Sequence, residues 1–262
     1  MLDAATLITL AAAAPPALCA LLLFAVDGHR PRRPWVLLAA MAWGAAVAAI
    51  AAAPVNDWLL ATLVAEVGEP AGQALAARAG GPLLEELLKG LGLLVVLAIR
   101  PGALRTARDG ALLGAVIGLG FELVENLHYL TLAAVQAGSA GLLRGVWVRG
   151  ILGGLKHAVF TATTGAGLGW ARQAAGVRAR LFVPLGAFVA AVVQHGVWNT
   201  VASQAITDAL CAAPAPEAAC RIAPPASALY VSVPLIVAVC IAPGVMGLLV
   251  ALRRPPRSGR SG

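Results

Sequence analysis

Two adjacent carboxylates and a lysine open an apolar run near the middle of the chain. Glu85 and Glu86 are followed by Lys89, and no further charge occurs until Arg100. Ionised groups within a membrane span are costly and mark functional sites by default. A carboxylate can act as a general base toward water, which makes this triplet the first candidate for chemistry. The alternative is an i, i+4 ion pair between Glu85 and Lys89 that lets a helix end enter the headgroup region.

Three later apolar segments also carry polar or aromatic side chains at helical spacing. In each segment two of them are four residues apart and share a helix face: Phe121 with Glu125, His157 with Thr161, and His195 with Asn199. A single histidine in a span is more often a helix–helix hydrogen-bond partner than a catalyst. Packing alone would nevertheless require many costly groups without a use, so the set predicts a site.

The composition is that of a membrane protein. Of the 262 residues, 60% are hydrophobic and only 12% are charged, whereas soluble domains carry about 25% charged residues. We therefore predict an all-α, polytopic membrane protein whose partners include the lipid bilayer. The net charge of +7 is carried mostly by short arginine clusters, which we interpret as topology signals and not as a nucleic-acid site.

Apolar windows of span length predict about seven transmembrane helices, taking about 20 residues as the requirement. They lie near residues 5–26, 35–53, 83–99, 110–132, 147–170, 181–203 and 229–251. We predict one transmembrane domain over residues 1–252, with its motifs in the core 81–203. Residues 253–262 form a short basic tail.

Basic and non-basic connections alternate along the chain, which predicts the orientation. Arginines cluster after the first, third, fifth and seventh windows. By the positive-inside rule, the N-terminus lies outside and the C-terminus in the cytoplasm. Cys211 and Cys220 share an outer loop, residues 204–228, where a disulfide between them would stabilise the loop.

The polar residues converge in depth under this topology. A rise of 1.5 Å per residue places Glu125 and His195 about 24 and 21 Å from the inner surface, and His157 about 15 Å below the outer start of its span. Glu85 and Glu86 lie a few residues from the outer end of the third window. Four helices thus bring carboxylates, imidazoles and an amide to the outer half of the bilayer.

The four motifs resemble those of the PrsW family of intramembrane proteases, which is similar to the CAAX-protease and bacteriocin-processing group. The EExxK, FxxxE, HAxxT-like and HxxxD/N elements occur in order over residues 85–200. The resemblance implies a multi-pass protease of the bacterial plasma (inner) membrane. It cuts membrane-anchored proteins near the extracytoplasmic face, for example an anti-sigma factor at its first cleavage site.

A glutamate-activated water mechanism follows from the resemblance and the residue types. Either Glu85 or Glu86 serves as the base, and paired carboxylates can divide into base and acid. His195 and Asn199 would donate to the oxyanion, and His157 would orient water or substrate. Glu125 has the least defined role. Supporting positions are Lys89, Phe121 and Thr161.

Three alternatives remain at this stage. A zinc-dependent protease would use Glu86, Glu125, His157 and His195 around an ion with an open water position; we favour chemistry without a metal cofactor. A proton-coupled transporter would also place carboxylates and histidines in spans, but along a path and commonly with internal repeats. A non-catalytic scaffold would have no use for the intact site residues.

Overall fold

The computed structural model describes residues 3–27 and 34–202. These residues form eight α-helices: α1 Ala4–Asp27, α2 Pro34–Ala42, α3 Ile50–Val67, α4 Glu69–Leu75, α5 Gly81–Ile99, α6 Ala107–Gly145, α7 Lys156–Ala171 and α8 Val177–Val197. Four π-helical segments extend or join them: Trp43–Ala49, Ala76–Gly80, Val146–Leu152 and Trp198–Ala202. A short 3-10 turn, Pro101–Ala103, follows α5, and the described residues contain no strand. The all-helical fold class is thereby confirmed.

The first helical hairpin is longer than the sequence windows predict. One helical run extends over Pro34–Val67, about 51 Å at 1.5 Å per residue, which exceeds a hydrocarbon layer of about 30 Å. The run ends at Gly68, whose φ of 85° is readily adopted only by a residue without a Cβ. A second run then returns along it from Glu69 to Ile99. The windows 35–53 and 83–99 predicted a connection at residues 54–82, which is wrong because both helical runs continue through these residues.

The returning run changes the placement of the charged triplet. Glu85 lies about 24 Å along the helix from Glu69 and is followed by the rest of α5, which ends at Ile99. The sequence predicted Glu85 close to a helix end, because the third apolar window begins at residue 83. In the structure residues 69–79 continue the helix through the π-helical segment Ala76–Gly80. The triplet is consequently an interior feature of a long helix.

The second hairpin begins with α6, the longest helix of the described residues. Its axis reverses at Ala137 and Gly138, where the backbone leaves helical values and Gly138 has a φ of 59°. The returning chain is helical through Leu152, is interrupted at residues 153–155, and resumes as α7 at Lys156. The predicted span 147–170 is therefore a broken helix. Irregular backbone at membrane depth is tolerated where it is buried in protein or lines a cavity.

Close contact between α6 and α7 depends on glycine. A Cβ added at Gly110, Gly114 or Gly118 of α6 would overlap backbone carbonyl groups of α7, including that of His157. Small residues let helix backbones approach in this way, and the resulting van der Waals contacts drive association within membranes. The spacing of four residues keeps the three glycines on one face of α6. This seam fixes the height of His157 against α6.

Replacing Gly114 by alanine is expected to destabilise the protein by about 1–3 kcal/mol, the usual cost of overpacking. The new methyl would overlap the carbonyl oxygen of Thr161, which can yield only if the two helices separate. Thermal unfolding in detergent micelles would measure the effect. Gly186→Ala in α8 is the matched control, since a Cβ there meets nothing within 4 Å. Equal midpoints for the two variants would contradict the prediction.

Four candidate membrane-spanning runs occur in the described residues: Ala5–Leu23, Pro34–Val67, Ala107–Ala171 and Val177–Val201. They include the first, second, fourth, fifth and sixth predicted windows, while α5 carries three charged residues and is not among them. The seventh window and the Cys211–Cys220 pair lie outside the described residues. The number seven, the orientation and the single-domain division stay predictions.

Candidate active site

Glu86 of α5 is the centre of a buried hydrogen-bond network. Its Oε1 accepts from Lys89 Nζ at 2.6 Å and from His195 Nδ1 at 3.1 Å, and its Oε2 accepts from Thr161 Oγ1 at 3.1 Å. All four side chains are at most 1% exposed. Buried charges persist when they are paired and hydrogen-bonded, as this carboxylate is. Three helices, α5, α7 and α8, thus meet at one carboxylate.

His157, the second residue of α7, joins this network to α6. Its Nδ1 lies 2.9 Å from Lys89 Nζ, and its Nε2 lies 2.7 Å from Glu125 Oε2. An ammonium can only donate, so Nδ1 accepts and Nε2–H donates to the carboxylate. Phe121 packs against this ring, with 4.9 Å between centroids, and also lies under Lys89 Nζ at 4.1 Å. Phe121 therefore has both a packing and a cation–π contact at the site.

Glu85 differs from its neighbour Glu86 in having a free oxygen. Asn56 Nδ2 donates to Oε1 at 3.0 Å, but Oε2 is buried without a hydrogen-bond partner. This oxygen lies 3.7 Å from His195 Nε2 and 3.8 Å from Lys89 Nζ. A buried polar atom without a partner is costly and calls for an explanation such as a catalytic role. Of the two adjacent carboxylates, Glu85 is the one with an oxygen that accepts no hydrogen bond.

His195 Nε2 is also buried without a hydrogen-bond partner, as are Asn56 Oδ1, Glu122 Oε2, Asn126 Nδ2 and Thr164 Oγ1. Because Glu86 Oε1 also accepts from the Lys89 ammonium, it acts as an acceptor and the His195 Nδ1–H donates to it. In the neutral ring the Nε2 atom then carries a lone pair. Phe160 stacks on the ring with centroids 5.1 Å apart and fixes its plane. Two of these unpartnered atoms, Glu85 Oε2 and His195 Nε2, lie 3.7 Å apart.

A cavity of about 360 Å³ opens beside Glu85. Glu125 and Asn199 line it, together with Asn56 and Asp57 of α3. Three of the four π-helical segments contribute residues to its wall: Ala76 and Ala77, Arg149, and Trp198 and Asn199. Such segments occur frequently at functional sites because the extra residue per turn redirects side chains. Glu85 therefore lies at the wall of a cavity lined largely by polar residues.

A second layer of ion pairs lies behind Glu125. Lys156 donates to Glu122, and Arg149 donates to Glu125. Arg149 Nε also donates to Asn126 Oδ1 at 3.3 Å. Within this cluster, Glu86, Glu122 and Glu125 each accept a hydrogen bond from a lysine or an arginine. Glu85 is the remaining carboxylate, and it shares Lys89 at the longer distance given above.

Most residues predicted from the sequence come together in this arrangement. The connected set contains Glu85, Glu86, Lys89, Phe121, Glu125, His157, Thr161 and His195. Asn199 lines the adjoining cavity. His128, the remaining histidine, is exposed on α6 and packs on Tyr129.

Sequence reasoning missed Arg149 and Asn56 as site residues. Arg149 had a usable signal, since an arginine within the apolar window 147–170 is costly unless it is paired. Asn56 had none, because it lies in a stretch that was taken for a connection. Only the return of α5 along α3 brings Asn56 to Glu85.

The donor atoms of Glu85, His157 and His195 lie within 4.8 Å of one another and could hold a metal ion. This group contains Glu85 in place of the predicted Glu86 and Glu125. Glu85 Oε2 and His195 Nε2 are available as they stand, and the His195 Nδ1–H···Glu86 contact is the kind that orients metal-binding imidazoles. His157 would first have to release Glu125. The residues therefore fit an ion after one local exchange of partners.

Comparison with known proteins decides the family. Residues 32–239 match the family model described as PrsW family intramembrane metalloprotease. The chain belongs to the PrsW family. No curated protein and no solved structure matches it.

Membership in the PrsW family has direct consequences for this chain. It is an intramembrane protease and a multi-pass membrane protein, as the motifs predicted, and its substrates are membrane-embedded proteins. The match covers the whole buried network, from Glu85 to Asn199. The catalytic type, the individual residue roles and the substrate are separate questions.

Proposed function

We propose that this PrsW-family chain is an endopeptidase in which Glu85 activates water without a metal ion. It hydrolyses peptide bonds of membrane-anchored proteins near the extracytoplasmic face. The observation that carries the proposal is the unpartnered Glu85 Oε2, buried at the cavity and 3.7 Å from His195 Nε2. A general base needs a free lone pair within reach of its proton donor. In Glu86, by contrast, both oxygens already accept hydrogen bonds, which occupy three of about four lone-pair sites.

Hydrolysis proceeds by addition and collapse. Glu85 takes a proton from water while the water oxygen bonds to the carbonyl carbon, and the carbonyl π pair moves onto its oxygen. On collapse the C=O bond re-forms and the C–N bond breaks. Glu85 returns the proton to the nitrogen as the C–N bond breaks, so that a neutral amine departs. The products are a new carboxyl terminus and a new amino terminus.

His195 and Glu86 position the water in this scheme. The neutral His195 ring accepts a hydrogen bond from this water at Nε2, because its Nδ1–H is donated to Glu86. We therefore assign His195 to holding water, whereas the sequence-based hypothesis gave it to the oxyanion. Asn199 keeps the oxyanion role, since its side-chain amide can donate and the residue lines the cavity. His157 links Lys89 to Glu125 and orients both.

A metal-dependent mechanism is the second candidate. It is favoured by the family description and by the donors on Glu85, His157 and His195. A zinc ion held there would supply Lewis acidity and a more acidic water. Against it, the Lys89 ammonium already lies 3.8 Å from Glu85 Oε2 and 2.9 Å from His157 Nδ1. A second cation would be repelled by that charge.

Metal removal distinguishes the two mechanisms. We expect the purified protease to retain its rate within about twofold after dialysis against a chelator, measured on a membrane reporter that the wild type cleaves. Metal analysis of the same sample would give less than one equivalent of zinc per chain. Loss of activity that added zinc restores would establish the metal mechanism instead.

The substrate class follows from the cavity and the family. A single-span protein with a cleavable segment at its outer juxtamembrane end fits a site reached from that side, and an anti-sigma factor is the specific example we favour. We place the enzyme in the bacterial plasma membrane. These assignments rest on the predicted orientation, with the N-terminus outside.

Mapping of new protein N-termini tests the proposed function. Membranes and medium from cells expressing the wild type would be compared with those from cells expressing Glu85→Gln at equal levels. We expect termini near outer span ends that are present only with the wild type. Glu66→Gln is the matched control, because Glu66 is exposed on α3. Identical termini in all three samples, with every variant folded, would reject proteolysis.

A further inference from the structure

Arg149 is the positively charged residue at the cavity wall, and the mechanism above leaves it without a role. It lies in the π-helical segment Val146–Leu152, directly before the interruption that precedes α7. Its guanidinium is 4.1 Å from the ring centroid of Tyr129. Nε donates to Asn126 and Nη2 donates to Glu125. The side chain is therefore held in one plane by three neighbours.

This plane leaves donors available at the cavity. A guanidinium carries five N–H groups, and the two contacts to Asn126 and Glu125 use only part of them. Arg149 lines the same cavity as Glu85 and Asn199, and its side chain is 19% exposed while its partner Glu125 is 16% exposed. A fixed, always-charged donor beside the base is the arrangement that stabilises developing negative charge.

The surroundings also allow Arg149 to share its charge with an oxyanion. Glu125 accepts from His157 at 2.7 Å and lies 3.7 Å from Lys156 Nζ. Its carboxylate consequently keeps two other positive or donating neighbours when part of the guanidinium turns to substrate. His195, in contrast, has its Nδ1–H committed to Glu86 and no proton on Nε2 in the neutral ring. The oxyanion thus needs a donor other than His195.

We propose that Arg149 is a catalytic residue that donates from its guanidinium to the carbonyl oxygen of the scissile peptide, together with Asn199. The inference rests on the proposed function. The contact strengthens as the carbonyl π pair moves onto oxygen during attack by water. Arg149 therefore binds the tetrahedral intermediate more tightly than the substrate, which raises kcat more than it lowers KM.

The test compares Arg149→Lys with the wild type. The probe is a single-span reporter carrying a cleavage site mapped with the wild type, and the full-length protease is assayed in liposomes. Lysine retains the charge for Glu125 but lacks the planar fork that can contact two partners and the substrate together. We expect kcat to fall about 10²-fold to 10³-fold, as for loss of one oxyanion donor. KM should change less than threefold, and the unfolding midpoint should stay close to that of the wild type.

A matched control is available at the other end of the molecule. Arg100 also contacts an aromatic ring, Trp35, with 5.0 Å between the guanidinium carbon and the ring centroid, but it does not line the cavity. Arg100→Lys should leave kcat unchanged. A phosphonamidate analogue of the mapped site should lose affinity for the Arg149→Lys protein in parallel with kcat/KM.

Three results would overturn the inference. A kcat within threefold of the wild type in Arg149→Lys would show that a positive charge beside Glu125 is sufficient. A change confined to KM would make Arg149 a ground-state binding residue. A large loss of kcat with unchanged phosphonamidate affinity would make it a positioning residue. If the folded wild type cleaves no reporter, the proposed function itself fails, which is a distinguishable outcome.

Discussion

Replacing Glu85 by glutamine is expected to lower the rate of peptide hydrolysis by about 10²-fold to 10⁴-fold, the usual contribution of a general base. The amide cannot take a proton from water, although its shape is nearly that of the carboxylate. Its oxygen can still accept from Asn56 Nδ2, as Glu85 Oε1 does at 3.0 Å. Folding should therefore be preserved. Single-turnover cleavage of a mapped reporter would measure the rate.

The control for this prediction separates chemistry from folding. Thermal unfolding in the same detergent should give Glu85→Gln a midpoint equal to or above that of the wild type, because one buried, unpaired carboxylate oxygen is removed. Glu66→Gln should change neither quantity. Retention of more than a tenth of the wild-type rate in Glu85→Gln would assign the base to another group.

Replacing Glu86 by glutamine is expected to destabilise the protein by about 3–5 kcal/mol, the cost of leaving one member of a buried ion pair alone. Glu86 accepts from Lys89, His195 and Thr161 with both oxygens and is fully buried. The amide would turn an N–H group toward donors. Activity should also fall, since His195 loses the partner that fixes its tautomer. Denaturant titration in micelles would measure the change in free energy of unfolding.

A double variant isolates the ion pair from the other contacts. Combining Glu86→Gln with Lys89→Met removes both charges, and replacing a buried pair by apolar groups is often neutral. We expect the double variant to recover at least half of the lost stability while remaining inactive. Glu85→Gln is expected to lose activity but not stability. Unfolding measurements should therefore distinguish the roles of the two adjacent glutamates. A stability loss equal for Glu85→Gln and Glu86→Gln would contradict this division of roles.

The active-site residues could be predicted from sequence because costly groups in apolar segments are few. Hydropathy exposes Glu85, Glu86, Glu125, His157 and His195, and their order along separate helices matches the PrsW motifs. Helix boundaries were harder to predict from the sequence. Residues 54–82 contain prolines, charges and small side chains, so local composition indicated a connection where packing of α3 against α4 and α5 stabilises helix. Tertiary contacts outweighed local propensity there.

The sequence also did not predict which of the two neighbouring glutamates has which role. Glu85 and Glu86 have the same chemistry, and successive helical residues point about 100° apart. Which of them meets Lys89, Thr161 and His195, and which meets only Asn56, depends on the helices that pack on each side. The same holds for Arg149, whose window was recognised but whose partners are set by the reversal at Gly138.

By itself, then, the sequence determined an all-helical membrane protein of the PrsW type. It also determined the set of groups able to do its chemistry, because ionisable residues in membrane spans are costly and mark functional sites. The tertiary structure alone decided which groups are paired and which are free. Glu85 Oε2 and His195 Nε2 lack hydrogen-bond partners because α5 and α8 pack so that His195 Nδ1 meets Glu86. The periodicity of polar residues in the sequence does not predict how these two helices pack.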